Sequence, residues 1–239
     1  MRLLTKRGWL RAAVCLVGLF TGAASAPEAS AQNSLDGIDV SGWQGSIDWW
    51  QVYNSGIAFA FVKATEGTGF TDAWFYTNWA NLWVTPIYQG PYHFGHPGWD
   101  PIVQADFFCD TVAAANGGTF SGSLQLVLDI EVTDGTSPSH VRSWIVDFCN
   151  EVQARTGRPG TIYTGFYFWR DQAGNGSNLN CPLWLAAYVS DPRPYVPAAW
   201  STWTFWQYTS SGRVPGISGN VDRDVSNGGY GLLNALTIP

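Results

Sequence analysis

Short apolar segments alternate with amphipathic segments along most of this chain. The apolar segments have the length and composition of β-strands. They predict eight strands, at residues 37–40, 58–65, 86–94, 124–131, 160–164, 182–188, 203–208 and 220–224. The amphipathic segments predict five helices, one after each of the first five strands, at residues 47–54, 72–84, 100 to at least 112, 139–156 and 165–171.

The order of these elements indicates an α/β fold. Five strand–helix units followed by three strands without helices predict an irregular (β/α)5(β)3 barrel, similar to a TIM barrel. Asp100 and Pro101 are a typical helix start, and Gly157 is a typical helix end. The sequence shows no repeat, linker or second domain, so a single domain is expected.

The segment at residues 124–131, Leu-Gln-Leu-Val-Leu-Asp-Ile-Glu, places two acids at the end of an apolar strand. Alternate residues of a strand point to the same face, so Asp129 and Glu131 are expected to project side by side. Burying such a pair is costly unless it is compensated. Paired acids of this kind carry out glycoside hydrolysis, although acids at strand ends also cap helices and bind cations.

Two further acids follow predicted strands at the same end of the fold. Asp39 closes the first strand and Asp222 lies in the last. Barrel enzymes carry their active sites at the carboxyl ends of the strands. Four acids converging there predict an acid-based active site.

The first 31 residues have the features of a secretory signal peptide. A basic start precedes a short apolar stretch at residues 12–24, and small residues follow at 24–26 and 29–31. Because Pro27 disfavours cleavage after Ala26, cleavage after Ala31 is expected. The apolar stretch is too short to span a bilayer, and no later segment is suitable. The domain at residues 32–239 is therefore predicted to be secreted, without stable insertion in a membrane.

Composition narrows the choice of partner. Without the signal segment, which carries Arg2, Lys6, Arg7, Arg11 and Glu28, 8 basic and 17 acidic residues remain, a net charge of −9. Such a surface repels phosphate backbones, so nucleic acid is not expected as a partner. Fourteen Trp residues favour carbohydrate, since sugars stack on flat aromatic rings, although most Trp side chains fill hydrophobic cores.

Three cysteines remain after removal of the signal segment: Cys109, Cys149 and Cys181. An odd number allows one disulfide and one thiol, or no disulfide. Cys109 and Cys149 lie in predicted helices and could meet if those helices are neighbours. No Cys-x-x-Cys pair supports a metal or redox motif.

Several short motifs together resemble the glycoside hydrolase family 25 lysozymes, also called Chalaropsis-type muramidases. They occur in the family's order over nearly all of residues 32–239: Gly37-Ile-Asp-Val-Ser41, Trp43-Gln-Gly45, Phe61-Val-Lys-Ala-Thr-Glu-Gly67, Gly90-Pro-Tyr-His-Phe94, Leu128-Asp-Ile-Glu131, Ile162-Tyr-Thr164, Phe205-Trp-Gln-Tyr208 and Val221-Asp222. The resemblance implies a flattened barrel of five βα units and three further strands, in agreement with the element order.

The resemblance also implies a function. The family cleaves the β-1,4 bond between N-acetylmuramic acid and N-acetylglucosamine in peptidoglycan, without a cofactor. Glu131 matches the proton donor, Asp129 its partner acid, and Asp39 and Asp222 the other acids of the site. The resemblance places six residues in the substrate groove: Lys63, Tyr92, Tyr163, Tyr188, Trp206 and Gln207. We expect a monomer acting on glycan strands of the cell wall.

Two positions depart from the family pattern or add to it. Gly42 stands where many relatives have His between Ser and Trp. Asp224 lies two residues after Asp222, on the same strand face, and is interpreted as an orienting or solvated acid.

The proposed chemistry needs one carboxyl group that stays neutral, because a glycosidic oxygen leaves only when it is protonated. Acids gathered in one site raise each other's pKa. Glu131 is predicted to be the neutral donor and Asp129 the ionised partner. The Cα spacing of about 6.6 Å along a strand does not decide between inversion and retention. Retention with help from the substrate's acetamido group is favoured.

Alternative functions remain open at this point. A chitinase-like enzyme also uses an Asp-x-Glu pair, but its longer Asp-rich run is missing here. A glycan-binding protein without activity would have lost acids. His93 and His96 lie three residues apart beside the third strand, and a core or loop role is favoured over metal binding because no acids at ligand spacing accompany them.

Overall fold

The structure is a computed structural model that describes residues 34–239. The predicted signal peptide and its cleavage site lie outside these residues. Within the part described, no helix is both long enough and apolar enough to cross a membrane.

Eight strands close into a barrel. The sheet contains nine strands, β1 (Asp36–Val40), β2 (Phe59–Glu66), β3 (Phe70–Thr71), β4 (Tyr88–Phe94), β5 (Val127–Asp129), β6 (Thr161–Gly165), β7 (Leu183–Ala186), β8 (Phe205–Gly212) and β9 (Val221–Ser226). Their order is β1-β9-β8-β7-β6-β5-β4-β2-β3, and pairing of β1 with β2 closes the barrel. Pairs along the series from β1 through β2 and β4 to β8 are parallel, whereas β9 is antiparallel to β8 and β1. The predicted barrel and all eight predicted strands are confirmed.

Five α-helices accompany the barrel, α1 (Trp49–Asn54), α2 (Phe75–Trp83), α3 (Pro101–Ala115), α4 (Pro138–Thr156) and α5 (Tyr230–Leu236). The first four were predicted, with starts that differ by one to three residues. The fifth predicted helix is a single wide turn at Phe168–Gln172. The sequence prediction missed α5 and the two-residue strand β3.

The chemistry of the helix ends agrees with the sequence. The Asp100 carboxylate accepts hydrogen bonds from the backbone N–H groups of Ile102 and Val103, and Pro101 occupies the first turn of α3. Ser137 caps α4, and Gly157 ends it with φ of 71°, a left-handed conformation that favours glycine. These caps satisfy N–H and C=O groups that a helix cannot pair internally.

Apolar side chains form two layers, one between the strands and the helices and one inside the barrel. Residues Leu126, Leu128 and Ile130 point outward and pack with the helices, while Val127 points into the barrel. Leu124 also belongs to the interior, so the predicted alternation begins only after it. The strand itself covers Val127–Asp129, shorter than predicted.

Aromatic rings fill the barrel towards the amino-terminal ends of its parallel strands. The Phe61 and Trp184 rings stack with centroids 4.3 Å apart, and Phe59 and Phe205 pack beside them. Gly90 makes room for them, because a Cβ atom there would lie 2.7 Å from the Phe61 ring. Leu233 and Leu236 of α5 join this cluster and cover the amino-terminal end of the barrel. The carboxyl ends of the strands are left for polar side chains.

The Trp residues divide between core and surface. Among residues 34–239, six Trp side chains are buried and four are exposed: Trp43, Trp50, Trp83 and Trp99. Burial therefore explains many of them without invoking a ligand.

The described cysteines follow one of the two alternatives that the sequence left open, the one without a disulfide. All three described cysteines are buried thiols. Helices α3 and α4 are neighbours, which was the condition for a contact between Cys109 and Cys149. The neighbouring Cys181 thiol, together with burial, raises the pKa of Cys149. Burial raises the pKa of Cys109 to about 12.

Candidate active site

A cavity of about 380 Å³ opens at the carboxyl ends of the barrel strands. Its walls contain all four predicted acids: Asp39, Asp129, Glu131 and Asp222. These residues are up to 183 positions apart in sequence, as the numbers of Asp39 and Asp222 show. The structure therefore brings together what the sequence predicted to converge.

Strand pairing places each acid. Asp39 on β1 is paired directly with Asp222 on the antiparallel strand β9. Asp129 is the last residue of β5, between Phe94 on β4 and Tyr163 on β6. Glu131 follows two residues later, where the chain leaves the sheet, and its longer side chain reaches the same cavity.

The predicted substrate-binding residues divide into three groups. Lys63, Tyr92, Tyr163 and Gln207 line the cavity. Tyr188 is exposed and is connected to the cavity through a hydrogen bond to Gln207. Trp206 is not among the residues that line the cavity. Its indole N–H donates to the Ala187 carbonyl at 2.6 Å, and its ring contacts Trp203 and Tyr208.

Alternation along β8 separates Gln207 from its neighbour Trp206. The phenol groups of Tyr163 and Tyr188 donate to Gln207 Oε1 at 2.9 and 2.8 Å. Gln207 Nε2 is thereby directed to Asp39 Oδ2, at 2.8 Å. Three residues predicted for substrate binding thus also hold one of the acids in position.

Several residues in the cavity wall were not chosen from the sequence. These are Val40, Ser41, Trp43, Gln44, Phe94, Trp184, Ser210 and Asn220. Trp43 and Gln44 belong to a motif that follows β1. Their position shortly after Asp39 was the signal in the sequence that could have placed them in the cavity. Ser210 and Asn220 lie near the carboxyl-terminal strands without any pattern that marks them.

The Asp129–Glu131 pair shares its affinity for protons. Burial raises the pKa of Asp129 well above its ordinary value, the neighbouring Glu131 raises it further, and Lys63 lowers it. Glu131 is more open to the groove, but the surrounding protein partly desolvates its carboxyl group and raises its pKa, against the charge of Lys63. Burial thus favours the protonated form of both carboxyl groups, so the pair holds a proton to a higher pH than a free carboxyl group would.

One oxygen of Asp129 is notable for its surroundings. Asp129 is buried, and its Oδ1 atom has no hydrogen-bond partner within residues 34–239. Lys63 stands on the same side of the cavity and forms an ion pair with Glu66 at 2.6 Å. Partial burial raises the pKa of Glu66, but hydrogen bonds from Lys63 and His96 outweigh this and lower it.

A second group of acids lies on the opposite side of the cavity. Asp224 is fully buried and accepts a hydrogen bond from the Trp184 indole N–H at 2.8 Å. Burial raises its pKa to about 8, with a further contribution from Asp222. Burial, Asp224 and Asp222 also raise the pKa of Asp39 well above its ordinary value. Asp224 is therefore not solvated, and its buried position agrees with the orienting role considered from the sequence.

The buried acid Asp224 should make the protein less stable at alkaline pH. The folded protein holds this proton between the ordinary pKa of 3.8 and the folded pKa of about 8, whereas the unfolded chain releases it. The free energy of unfolding therefore falls as pH rises through this window. We expect Asp224→Asn to melt a few degrees higher than wild type at pH 8 and at about the same temperature below pH 4. Thermal unfolding at both pH values checks this.

A suitable control is Asp147→Asn, because Asp147 is exposed on α4. It should leave the pH dependence of the melting temperature unchanged. A wild-type pH dependence in Asp224→Asn would contradict the assignment of a bound proton to this acid.

The two histidines of the sequence prediction have structural partners. His93 is fully buried between Thr65 and Gln104, and burial lowers its pKa to about 3. The His96 ring nitrogens face Glu66 at 3.2 Å and Asp134 at 3.0 Å. Residues 34–239 contain no cluster of three or more side chains that could hold a metal ion.

A closed barrel with paired carboxylates at the carboxyl ends of its strands is the arrangement of a glycoside hydrolase. The family model described as "Glycosyl hydrolases family 25" matches residues 38–217. The chain belongs to glycosyl hydrolase family 25, as its motifs indicated.

Similar proteins agree with this assignment. The chain is 43% identical to "Lysozyme M1" of Streptomyces globisporus over 217 residues, which cover 85% of this chain and 71% of that protein. It is 34% identical to the "N,O-diacetylmuramidase" of Arthroderma benhamiae, over 88% of this chain and 91% of that protein.

Solved structures share the fold. The bacterial lysozyme from Streptomyces coelicolor superimposes with a TM-score of 0.78 at 42% identity, over 85% of this chain and 96% of that one. A family 25 lysozyme from Aspergillus fumigatus gives a TM-score of 0.77 at 32% identity, over 87% of this chain and 100% of that one. The protein is thus an enzyme of the lysozyme type.

Proposed function

We propose that this enzyme hydrolyses the β-1,4 bond between N-acetylmuramic acid and N-acetylglucosamine in peptidoglycan, with retention at the anomeric carbon. We further propose that residues 1–31 direct its secretion and that residues 32–239 act outside the cell as a monomer. The observation that carries the catalytic proposal is the single cavity containing Asp39, Asp129, Glu131 and Asp222 beside one cation, Lys63.

Glu131 is the proposed proton donor. It transfers its proton to the glycosidic oxygen as the bond from that oxygen to the anomeric carbon breaks. The carbonyl oxygen of the muramic acid acetamido group forms a bond to the anomeric carbon from the opposite side. Water then breaks this temporary bond and gives a proton back to Glu131. Two displacements at the same carbon give net retention.

Asp129 has the position to assist the acetamido group. Its Oδ1 atom lacks a partner within the described residues and is suited to accept the acetamido N–H. A hydrogen bond from the substrate stabilises the ionised carboxylate and lowers its pKa. Binding of substrate therefore favours the ionised form of Asp129 and leaves the shared proton on Glu131, where the reaction needs it. This order of events reconciles the electrostatics of the pair with the predicted roles.

Lys63 and the second acid group have supporting roles in this proposal. The ammonium group of Lys63 favours the ionised forms of Asp129 and Glu131 and so limits how strongly they hold protons. The pair Asp39–Asp222 lies across the cavity, and an ionised member of this pair stabilises positive charge that develops on the sugar ring.

Product analysis tests the proposed function. Purified peptidoglycan is digested, and the new reducing ends are reduced and identified by mass spectrometry. We expect new ends on N-acetylmuramic acid and no fragments from chitin. New ends on N-acetylglucosamine, release of chitin fragments, or binding without cleavage would each overturn the proposal and favour one of the alternatives considered from the sequence.

A further inference from the structure

A second cavity, of about 400 Å³, lies beside the catalytic cavity. The two cavities share Ser41, Trp43 and Lys63 as walls. Trp43 is 93% exposed and stands between them. The second cavity contains none of the four acids in the catalytic cavity, and it is large enough for a substantial chemical group.

The walls of the second cavity combine apolar and charged groups. Phe70, Ala73 and Trp74 supply apolar surface, and Glu66 and Asp72 supply carboxylates. The Asp72 oxygens are already occupied, because they accept hydrogen bonds from the backbone N–H groups of Gly42 at 2.8 Å and Trp74 at 2.9 Å. This mixture suits a peptide, whose polar backbone can carry both apolar and charged side chains.

Gly42 keeps the second cavity open. A Cβ atom at this position would lie 3.2 Å from Asp72 Oδ2, so any side chain here would project over Asp72 into the cavity. Gly42 is not among the glycines with positive φ, and its backbone therefore accepts other residues. The lack of a side chain at Gly42 therefore matters for the open cavity next to it, whereas its backbone conformation does not require glycine.

We propose that the second cavity binds the peptide that peptidoglycan carries on the lactyl group of N-acetylmuramic acid, and that Gly42 provides access for it. This proposal rests on the proposed function. That function places a muramic acid ring at the acids, and the lactyl group on C3 of this ring carries the peptide. The second cavity continues directly from the catalytic cavity through shared walls, so it can receive this substituent without a change in the fold.

Other occupants are less suited to the site. An acetyl ester on the sugar is much smaller than the cavity. A further sugar of the glycan strand would follow the groove itself. The peptide is the large substituent that muramic acid carries in addition to the glycan strand.

The test compares soluble glycan oligomers that carry stem peptides with the same oligomers after an amidase has removed the peptides. In wild type, removal of the peptides should raise KM about fivefold, with little change in kcat. Gly42→His adds an imidazole at the wall of the second cavity and should raise KM about fivefold on peptide-bearing oligomers only. Gly42→Ala should give a smaller effect in the same direction.

Gly231→His is the matched control, because Gly231 lies on α5 without positive φ, and a Cβ atom added there would meet nothing within 4 Å. It should behave as wild type on both substrates. A loss of equal size on both substrates in Gly42→His, or none on either, would overturn the proposal. The proposal would also be overturned if mild base, which removes acetyl esters but leaves the peptides, abolished the rise in KM of Gly42→His on peptide-bearing oligomers.

The design separates two failures. If wild type cleaves neither substrate, the proposed function itself is wrong. If wild type cleaves both with equal KM, the enzyme is a peptidoglycan hydrolase and only the peptide site is refuted. The comparison of the two substrates with wild type needs no variant. It therefore still tests the proposal if Gly42→His does not fold.

Discussion

Replacing Glu131 by glutamine is expected to lower kcat on peptidoglycan by about 10³-fold or more, within the range that general acid catalysis supplies. Glutamine keeps the shape of the side chain but has no proton to give, so the leaving oxygen departs as an unstabilised alkoxide. The side chain is open to the groove, and the fold should therefore be unaffected. Reducing-sugar release and thermal unfolding measure the two effects.

Two comparisons make this prediction specific. Glu151→Gln on α4 is the same chemical change outside the cavity and should retain wild-type activity. An aryl glycoside with a phenolate leaving group needs no protonation, so Glu131→Gln should lose much less activity on it. A variant that keeps wild-type lysis of cell walls would refute the role of Glu131.

Replacing Asp129 by asparagine is expected to lower kcat by about 10²- to 10³-fold, since an orienting charge next to the reacting atoms is lost. It should also change the pH profile. In wild type, activity falls as pH rises and the shared proton leaves the Asp129–Glu131 pair, whose pKa values are raised. Without the charge of Asp129, the pKa of Glu131 is lower. The alkaline limb of the kcat/KM profile should therefore move to lower pH.

Asp147→Asn on the exposed face of α4 is the control for this substitution and should leave the profile unchanged. An unaltered alkaline limb in Asp129→Asn would show that the two acids are not coupled. Proton NMR of the first anomer that wild type releases tests the remaining step. An inverted product would exclude assistance by the acetamido group.

These predictions depend on the same balance of charges. One described lysine in the cavity faces four acids, and burial acts on all four in the same direction. The site therefore holds protons that an exposed set of acids would release. A catalytic acid that works near neutral pH needs this property.

Much of the fold follows from local sequence signals. The strands and the first four helices could be predicted because period-2 and period-3.6 patterns report which face of an element is buried. Helix α5 escaped prediction because no capping side chain marks its start: Gly229 is its N-cap residue, and Gly231 lies in its first turn. Its place is set by Leu233 and Leu236, which cover the end of the barrel. Leu124 likewise points into the barrel because it packs with this interior cluster, and the alternation along the strand did not predict this.

The sequence by itself determined the type of barrel, the order of its elements and the four acids at the ends of its strands. The tertiary structure decided how those acids behave, because proton affinity depends on burial and on neighbours from distant parts of the chain. It turned Trp206 away from the cavity, directed Gln207 to Asp39, buried Asp224 beside Trp184, and left Cys149 as a buried thiol next to Cys181. It also opened the space next to Gly42, which only the packing of β1 against the segment around Asp72 could reveal.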